Sequence, residues 1–131
     1  MARLLIIDQE ESLCQILERT FAKSGHTVET VTSGQAAKKK IESQPYDVII
    51  SEIRMPDVTG LDLLEFARAT KSRAPFILMT AVPTMSTAID AVNLGASRYV
   101  IKTESLVEEL GSIVEGALKE QVPRWESSAY L

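Results

Sequence analysis

One cysteine, one histidine and one tryptophan are all that this sequence of 131 residues contains of those types, and it has no long apolar run. A lone Cys14 excludes a disulfide framework and a thiolate metal cluster. With no basic neighbour to activate it, Cys14 reads as a small helix residue. His26 follows Gly25 in a turn and has no partner ligands in sequence. The opening stretch, residues 1–7, carries one Arg and a short apolar run, too little for a signal peptide or a spanning helix. No other stretch approaches a membrane span, so the chain is expected to be cytoplasmic, with no membrane partner. Positive charge is in deficit as well. Fourteen basic residues against eighteen acidic ones leave a net charge of −4, which argues against a surface that tracks a nucleic-acid backbone. Direct nucleic-acid binding is therefore not expected of this domain, although a separate domain is free to provide it. The triplet Lys38-Lys39-Lys40 wraps around a helix and is expected to be solvated. Internal repeats and low-complexity segments are absent.

What is present is a regular alternation. The length suits one domain able to bury its own core, and an apolar share of 45% with a charged share of 24% is ordinary for a soluble protein. Short apolar runs recur at Leu4-Leu5-Ile6-Ile7, Val48-Ile49-Ile50, Phe76-Ile77-Leu78-Met79 and Tyr99-Val100-Ile101. Continuous runs of this kind suit parallel strands covered on both faces. Thr27-Val28-Glu29-Thr30-Val31 alternates instead, which suits a strand nearer an edge.

Helix-length segments lie between the runs. Leu13, Ile16, Leu17, Thr20 and Phe21 repeat at helical spacing ahead of a stop at Gly25. Ala36, Ala37, Lys40 and Ile41 form a weaker helix closed before Pro45. Leu61, Leu63, Leu64 and Ala67 follow Thr59-Gly60, and Ala88, Ala91, Val92 and Ala96 precede or flank Gly95. Ser105 with Glu108 has the pattern of a capping box for a last helix with a stripe of Leu106, Leu110, Ile113, Val114 and Ala117. Five strands alternating with five helices predict an open, doubly wound α/β sheet with right-handed crossovers. The domain is expected over residues 1–120, and 121–131, with Trp125, as a tail or the start of a linker.

In such a sheet, functional groups collect at the C-terminal ends of the strands, beside the point where strand order reverses. Those ends carry Asp8-Gln9-Glu10-Glu11, Ser51-Glu52-Ile53-Arg54, Thr80-Ala81 and Lys102-Thr103. A pocket of carboxylates, a hydroxyl and an ammonium has the chemistry of phosphoryl handling. Carboxylates hold a hard divalent cation such as Mg²⁺. Cation, lysine and hydroxyl together neutralise phosphoryl oxygens.

Tyr46-Asp47-Val48-Ile49-Ile50-Ser51-Glu52-Ile53-Arg54-Met55-Pro56 with Gly60, then Thr80-Ala81, then Gly95-Ala96 and Tyr99-Val100-Ile101-Lys102, resemble in order the motifs of the response-regulator receiver domain of two-component signalling. The resemblance runs from about Arg3 to Lys119. It implies a flavodoxin-like (βα)₅ fold with strand order 2-1-3-4-5. It also implies an acidic pocket at Asp8, position 9 and position 52, a switch and phosphate pocket at Thr80, Ala81, Tyr99 and Lys102, and a metal held by Asp8, Glu52 and the Arg54 backbone carbonyl.

Three positions depart from the family pattern. Glu52 stands where the family phosphorylates Asp, Gln9 where it has a second metal-binding acid, and Thr103 where Pro usually follows the lysine. Glu52 reaches roughly 1.5 Å further than Asp, and a misplacement near 1 Å can cost about 10²-fold in an aligned attack. Gln9 removes a hard anion from the metal site, so no cofactor is expected and Mg²⁺ at most weakly. A direct Lys102–Glu52 ion pair is expected in its place, with a trans peptide before Thr103. Asp57 is expected to be a turn residue, not a displaced acceptor.

The expectation is thus an atypical receiver, not an enzyme, that acts through protein–protein contacts. Its face of helix 4, strand 5 and helix 5 would meet an output domain, a partner protein or a second receiver. The alternative is a Mg²⁺-dependent, phosphorylatable receiver in which Glu52 replaces Asp by natural or engineered substitution, a phosphomimetic. A binder of a small anionic ligand on the same fold lacks a glycine-rich phosphate loop.

Overall fold

A computed structural model describes residues 1–119; the expected tail at 121–131, with Trp125, lies outside them. The elements alternate as β1 (Arg3–Ile7), α1 (Glu11–Lys23), β2 (Thr27–Val31), α2 (Gly34–Ser43), β3 (Val48–Glu52), α3 (Gly60–Ala69), β4 (Phe76–Thr80), α4 (Met85–Asn93), β5 (Arg98–Ile101) and α5 (Leu106–Lys119). All strand pairings are parallel, in the order β2-β1-β3-β4-β5. The order reverses between β1 and β3, which places their C-terminal ends side by side.

The period of two along each strand divides the core into two layers. Leu4, Ile6, Val48, Ile50, Ile77, Met79 and Val100 face α1 and α5. Leu5, Ile7, Ile49, Phe76 and Leu78 face the other way, against α2, α3 and Ala91 of α4. The central strands β3 and β4 are buried along their whole length, whereas β2 at one edge is only partly buried. That matches its alternating sequence.

Helix ends follow local chemistry. Gly25 and Gly95 take positive φ after α1 and α4. Thr59 caps α3 in a reciprocal box with Asp62. Val92 is 76% exposed, and Ala91 is the one buried residue of α4. Ile16 is 47% exposed, because α1 covers the sheet with Cys14, Leu17 and Phe21. One expectation needs correction. The Ser105–Glu108 box does not form among the described residues. Thr103 does that work instead: its hydroxyl accepts from the Ser105 N–H and donates to Glu109 Oε1.

Candidate functional site

The ends of β1, β3 and β5 bring three charged side chains to one point. Lys102 Nζ donates to Asp8 Oδ2 at 2.7 Å and lies 2.6 Å from Glu52 Oε1. Asp8 is 0% exposed and Glu52 6% exposed, so water does little to screen these charges. The remaining carboxylate oxygens are also engaged. Glu52 Oε2 accepts from the N–H groups of Ile53 at 2.8 Å and Arg54 at 3.0 Å, and Asp8 Oδ1 accepts from the Glu10 N–H at 2.8 Å. Burial pulls the Lys102 ammonium down, but hydrogen bonds and charge from Asp8 and Glu52 outweigh it and hold the group above its ordinary range. One ammonium between two carboxylates leaves the pocket net negative.

Each side chain is placed by its strand. The Lys102 N–H donates to the Thr80 carbonyl at 2.8 Å, which continues the β4–β5 pairing one step beyond the strand. Thr80 is 1% exposed, and its hydroxyl oxygen accepts from the Val82 N–H at 3.1 Å. Ala81 and Gln9 are exposed. Gln9 takes no part in the hydrogen bonds that join Asp8, Glu52 and Lys102. The peptide before Thr103 is trans, as no cis bond occurs among the described residues.

Tyr99 is turned toward α4. Its hydroxyl accepts from the Thr84 N–H at 3.3 Å and shares a hydrogen bond with Thr87 Oγ1 at 2.8 Å. Thr84 is also the N-cap of α4. Thr80 and Tyr99 do not touch through a hydrogen bond; they pin opposite sides of the loop between β4 and α4, one at Val82 and the other at Thr84.

The loop after Glu52 folds back tightly. The Gly60 N–H donates to the Ile53 carbonyl at 2.8 Å, and a Cβ at Gly60 would collide with the Glu52 carbonyl oxygen. Only glycine lets α3 start that close to β3. Further along the same loop, Asp57 accepts from the N–H groups of Gly34 and Gln35 at 3.0 Å each. The Gln35 and Gly34 N–H groups hold its carboxyl below the usual range. Asp57 therefore does more than turn the chain, because it ties the β3–α3 loop to the N-terminus of α2, where a negative charge is favoured.

Mg²⁺ asks for oxygen ligands in near-octahedral geometry. The donors here are two carboxylates, both held by Lys102, and the Arg54 carbonyl. Gln9 brings no anionic oxygen, and no three His, Cys, Asp or Glu residues among those described form a metal-holding group. The residues do not fit a dedicated Mg²⁺ site.

Sequence reasoning missed several partners. That Asp8 shares Lys102, that Thr84 and Thr87 receive Tyr99, and that Asp57 reaches α2 are contacts between distant segments. Their one advance signal was the placement of Asp8 and Lys102 at neighbouring strand ends.

Comparison with known proteins agrees with the fold. The family described as the response regulator receiver domain matches residues 4–114. Regulatory protein AtoC of Escherichia coli is 37% identical over 119 residues, which cover 91% of this chain and 26% of AtoC. The chain thus spans about a quarter of the length of AtoC, ZraR and NtrC, and 44% of the response regulator SaeR. A two-component response regulator from Clostridium difficile superposes with a TM-score of 0.86 at 28% identity, covering 94% of this chain and 100% of the other. The beryllofluoride-activated NtrC4 receiver domain dimer gives a TM-score of 0.82 at 28% identity, covering 90% of this chain and 97% of the other.

Proposed function

This chain belongs to the response regulator receiver domain family, and we propose that it works as a regulatory contact module in which Glu52 is a fixed charge, not a phosphoryl acceptor. The observation that carries this reading is the state of the Glu52 carboxylate. Oε1 sits 2.6 Å from Lys102 and Oε2 accepts two backbone N–H bonds, in a place that is 6% exposed. A nucleophile must keep a lone pair aimed at the incoming group. Three of the roughly four acceptor sites of this carboxylate are taken, and no dedicated metal site lies beside it. Glu52 thereby holds Lys102 in place, and the strand-end pocket serves as a static anchor for β1, β3 and β5.

One observation favours the other reading. Lys102 and the buried Thr80 are present at the strand ends, and those are groups a phosphoryl would need. Intact-mass measurement after incubation with Mg²⁺ and acetyl phosphate separates the two. We expect no added phosphoryl group on the chain as it stands, and one on Glu52→Asp combined with Gln9→Asp. A stable gain on the unaltered chain, lost in Glu52→Ala, would overturn the proposal in favour of phosphotransfer.

Output then passes through the surface. The face of α4, β5 and α5 leaves Met85 77%, Ile89 50%, Val92 76% and Ile101 46% exposed, a concentration of apolar surface in a domain whose other faces are largely polar. We infer that a second receiver or an attached output domain covers it. The assembly of the NtrC4 receiver as a dimer supports the first choice, and the greater length of AtoC the second.

A further inference from the structure

The sheet has a second concave feature, at its opposite edge. A cavity of about 900 Å³ opens at the N-terminal ends of β4 and β5, between the C-terminal end of α3 and the side of α5. Four cationic side chains line it, Arg68, Lys71, Arg73 and Arg98, against the single carboxylate of Glu109. In a chain of net charge −4 this is a local reversal of sign. None of the four cations makes an ion pair with a carboxylate among the described residues. Glu109 is already engaged by the Thr103 hydroxyl.

Two details of local structure sharpen the pattern. The first concerns the end of α3. Helices α1, α3 and α4 all finish in the same way, with the N–H of the second residue past the cap bonded back to the third-from-last carbonyl: His26 to Phe21, Ser72 to Ala67 and Ala96 to Ala91. In α1 and α4 the left-handed position is glycine, Gly25 and Gly95. In α3 it is Lys71, at φ 70. A lysine accepts backbone strain there that glycine avoids. Its charge suits a helix C-terminus, and it also stands on the rim of the cavity. The second detail is Arg68. Its Nη1 donates to the Ser72 and Ala74 carbonyls, which locks the guanidinium in place. Burial and then the neighbouring Arg73 both work against its charge. Two like charges have been brought together with no acid between them.

We propose that this cavity binds a small polyanion carrying phosphate esters, the size of a nucleoside diphosphate. The volume falls within the roughly 300–1,000 Å³ of small-ligand sites. Three of the four cations are arginines, whose planar forks bind phosphate oxygens in pairs. Ser97, Ser112 and Gly116 on the lining are small, so a ligand can approach the backbone closely, and Ile113 and Pro75 give it an apolar floor. The site is remote from Glu52 and Lys102 and does not depend on what they do.

Titration of the ¹⁵N-labelled full chain with pyrophosphate and with ADP at low ionic strength tests this. Saturable shifts are expected at residues 68–75, 95–98 and 112–117, without movement at Glu52 or Lys102, and weakening with added salt. Arg73→Gln with Arg98→Gln, chosen because both side chains are exposed and hold no described backbone carbonyl, should weaken binding at least about tenfold. Arg68 is left intact because it also closes the α3–β4 turn. Three results would each overturn the proposal: no saturable shift at millimolar ligand, binding unchanged in the double variant, or shifts produced by a hexaglutamate peptide but by neither phosphate compound. The last would identify an acidic protein segment as the occupant.

Discussion

The strand-end pocket and the α4 face treat their side chains in opposite ways. In the pocket, charged groups are buried, and no buried side-chain polar atom among the described residues lacks a partner. On α4, apolar groups are left in water: one residue of nine is buried, whereas α5 buries Leu106, Leu110, Val114 and Ala117. Ion pairs of Lys102 with Asp8 and Glu52 span the pocket, and the exposed apolar surface lies apart from it, on a helix that the core hardly holds. The loop between β4 and α4, pinned by Thr80 on one side and Tyr99 on the other, joins the two regions.

The largest expected effect breaks the closed side of this contrast. Lys102→Met leaves Asp8 and Glu52 buried without their common counter-charge, and removing one member of a buried ion pair costs about 3–5 kcal/mol. That is a large part of a typical domain's stability. Urea denaturation should show the loss, and adding Glu52→Gln to Lys102→Met should recover only part of it, because Asp8 stays buried without a counter-charge. If Lys102→Met alone is neutral, the pocket is wetter and more open than its burial indicates.

Alkali tests buried titratable groups inside and outside the pocket, with an expected loss on the order of a few kcal/mol. Burial, then the charge of Asp8, pushes the Cys14 thiol from 9.0 to about 11, and burial followed by Glu29 pushes Tyr46 from 10.0 to about 12. Lys102 is also raised. A group whose pKa is raised by folding gives its full stabilisation below its unfolded value and loses it as pH climbs through the folded one. All three act in the same direction, so stability should hold up to about pH 9 and fall between 9 and 12. A circular-dichroism melt series over that range checks it, and Cys14→Ala should flatten the first part of the fall.

The fold was legible because its signals are local. The apolar runs at Val48–Ile50 and Phe76–Met79, the glycine stops at Gly25 and Gly95, and the Thr59 start of α3 each depend on a few neighbouring residues. The site was legible in its membership and less so in its bonding. Asp8, Glu52 and Lys102 were placed together by topology, but whether Lys102 serves one carboxylate or both depends on distances across three strands. Which face of α4 the core covers was not legible, for a related reason. The small, apolar residues of α4 satisfy helical spacing on more than one face, so period alone does not choose which face is covered.

Glycine substitutions compare crowded with open ground at a smaller scale. Gly60→Ala drives a Cβ into the Glu52 carbonyl and should destabilise by about 1–3 kcal/mol, as overpacking does. Gly111→Ala, in mid-α5 with nothing within 4 Å of the new Cβ, should stabilise by up to about 1 kcal/mol. Thermal melts of the two variants should move in opposite directions. A neutral Gly60→Ala would mean that the loop behind Glu52 yields easily and that the anchor is softer than its contacts suggest.

The smallest change in stability should come from the α4 face, where the change in behaviour should be greatest. Val92→Asp replaces an exposed side chain and should alter the folding free energy by no more than about 0.5 kcal/mol. If a second copy covers this face, sedimentation velocity should show a concentration-dependent dimer for the unaltered chain and a monomer for the variant, because an uncompensated charge in an apolar contact is costly. If both sediment as monomers at every concentration, the second receiver is eliminated as the occupant, and the proposal for this face is left with an attached output domain alone.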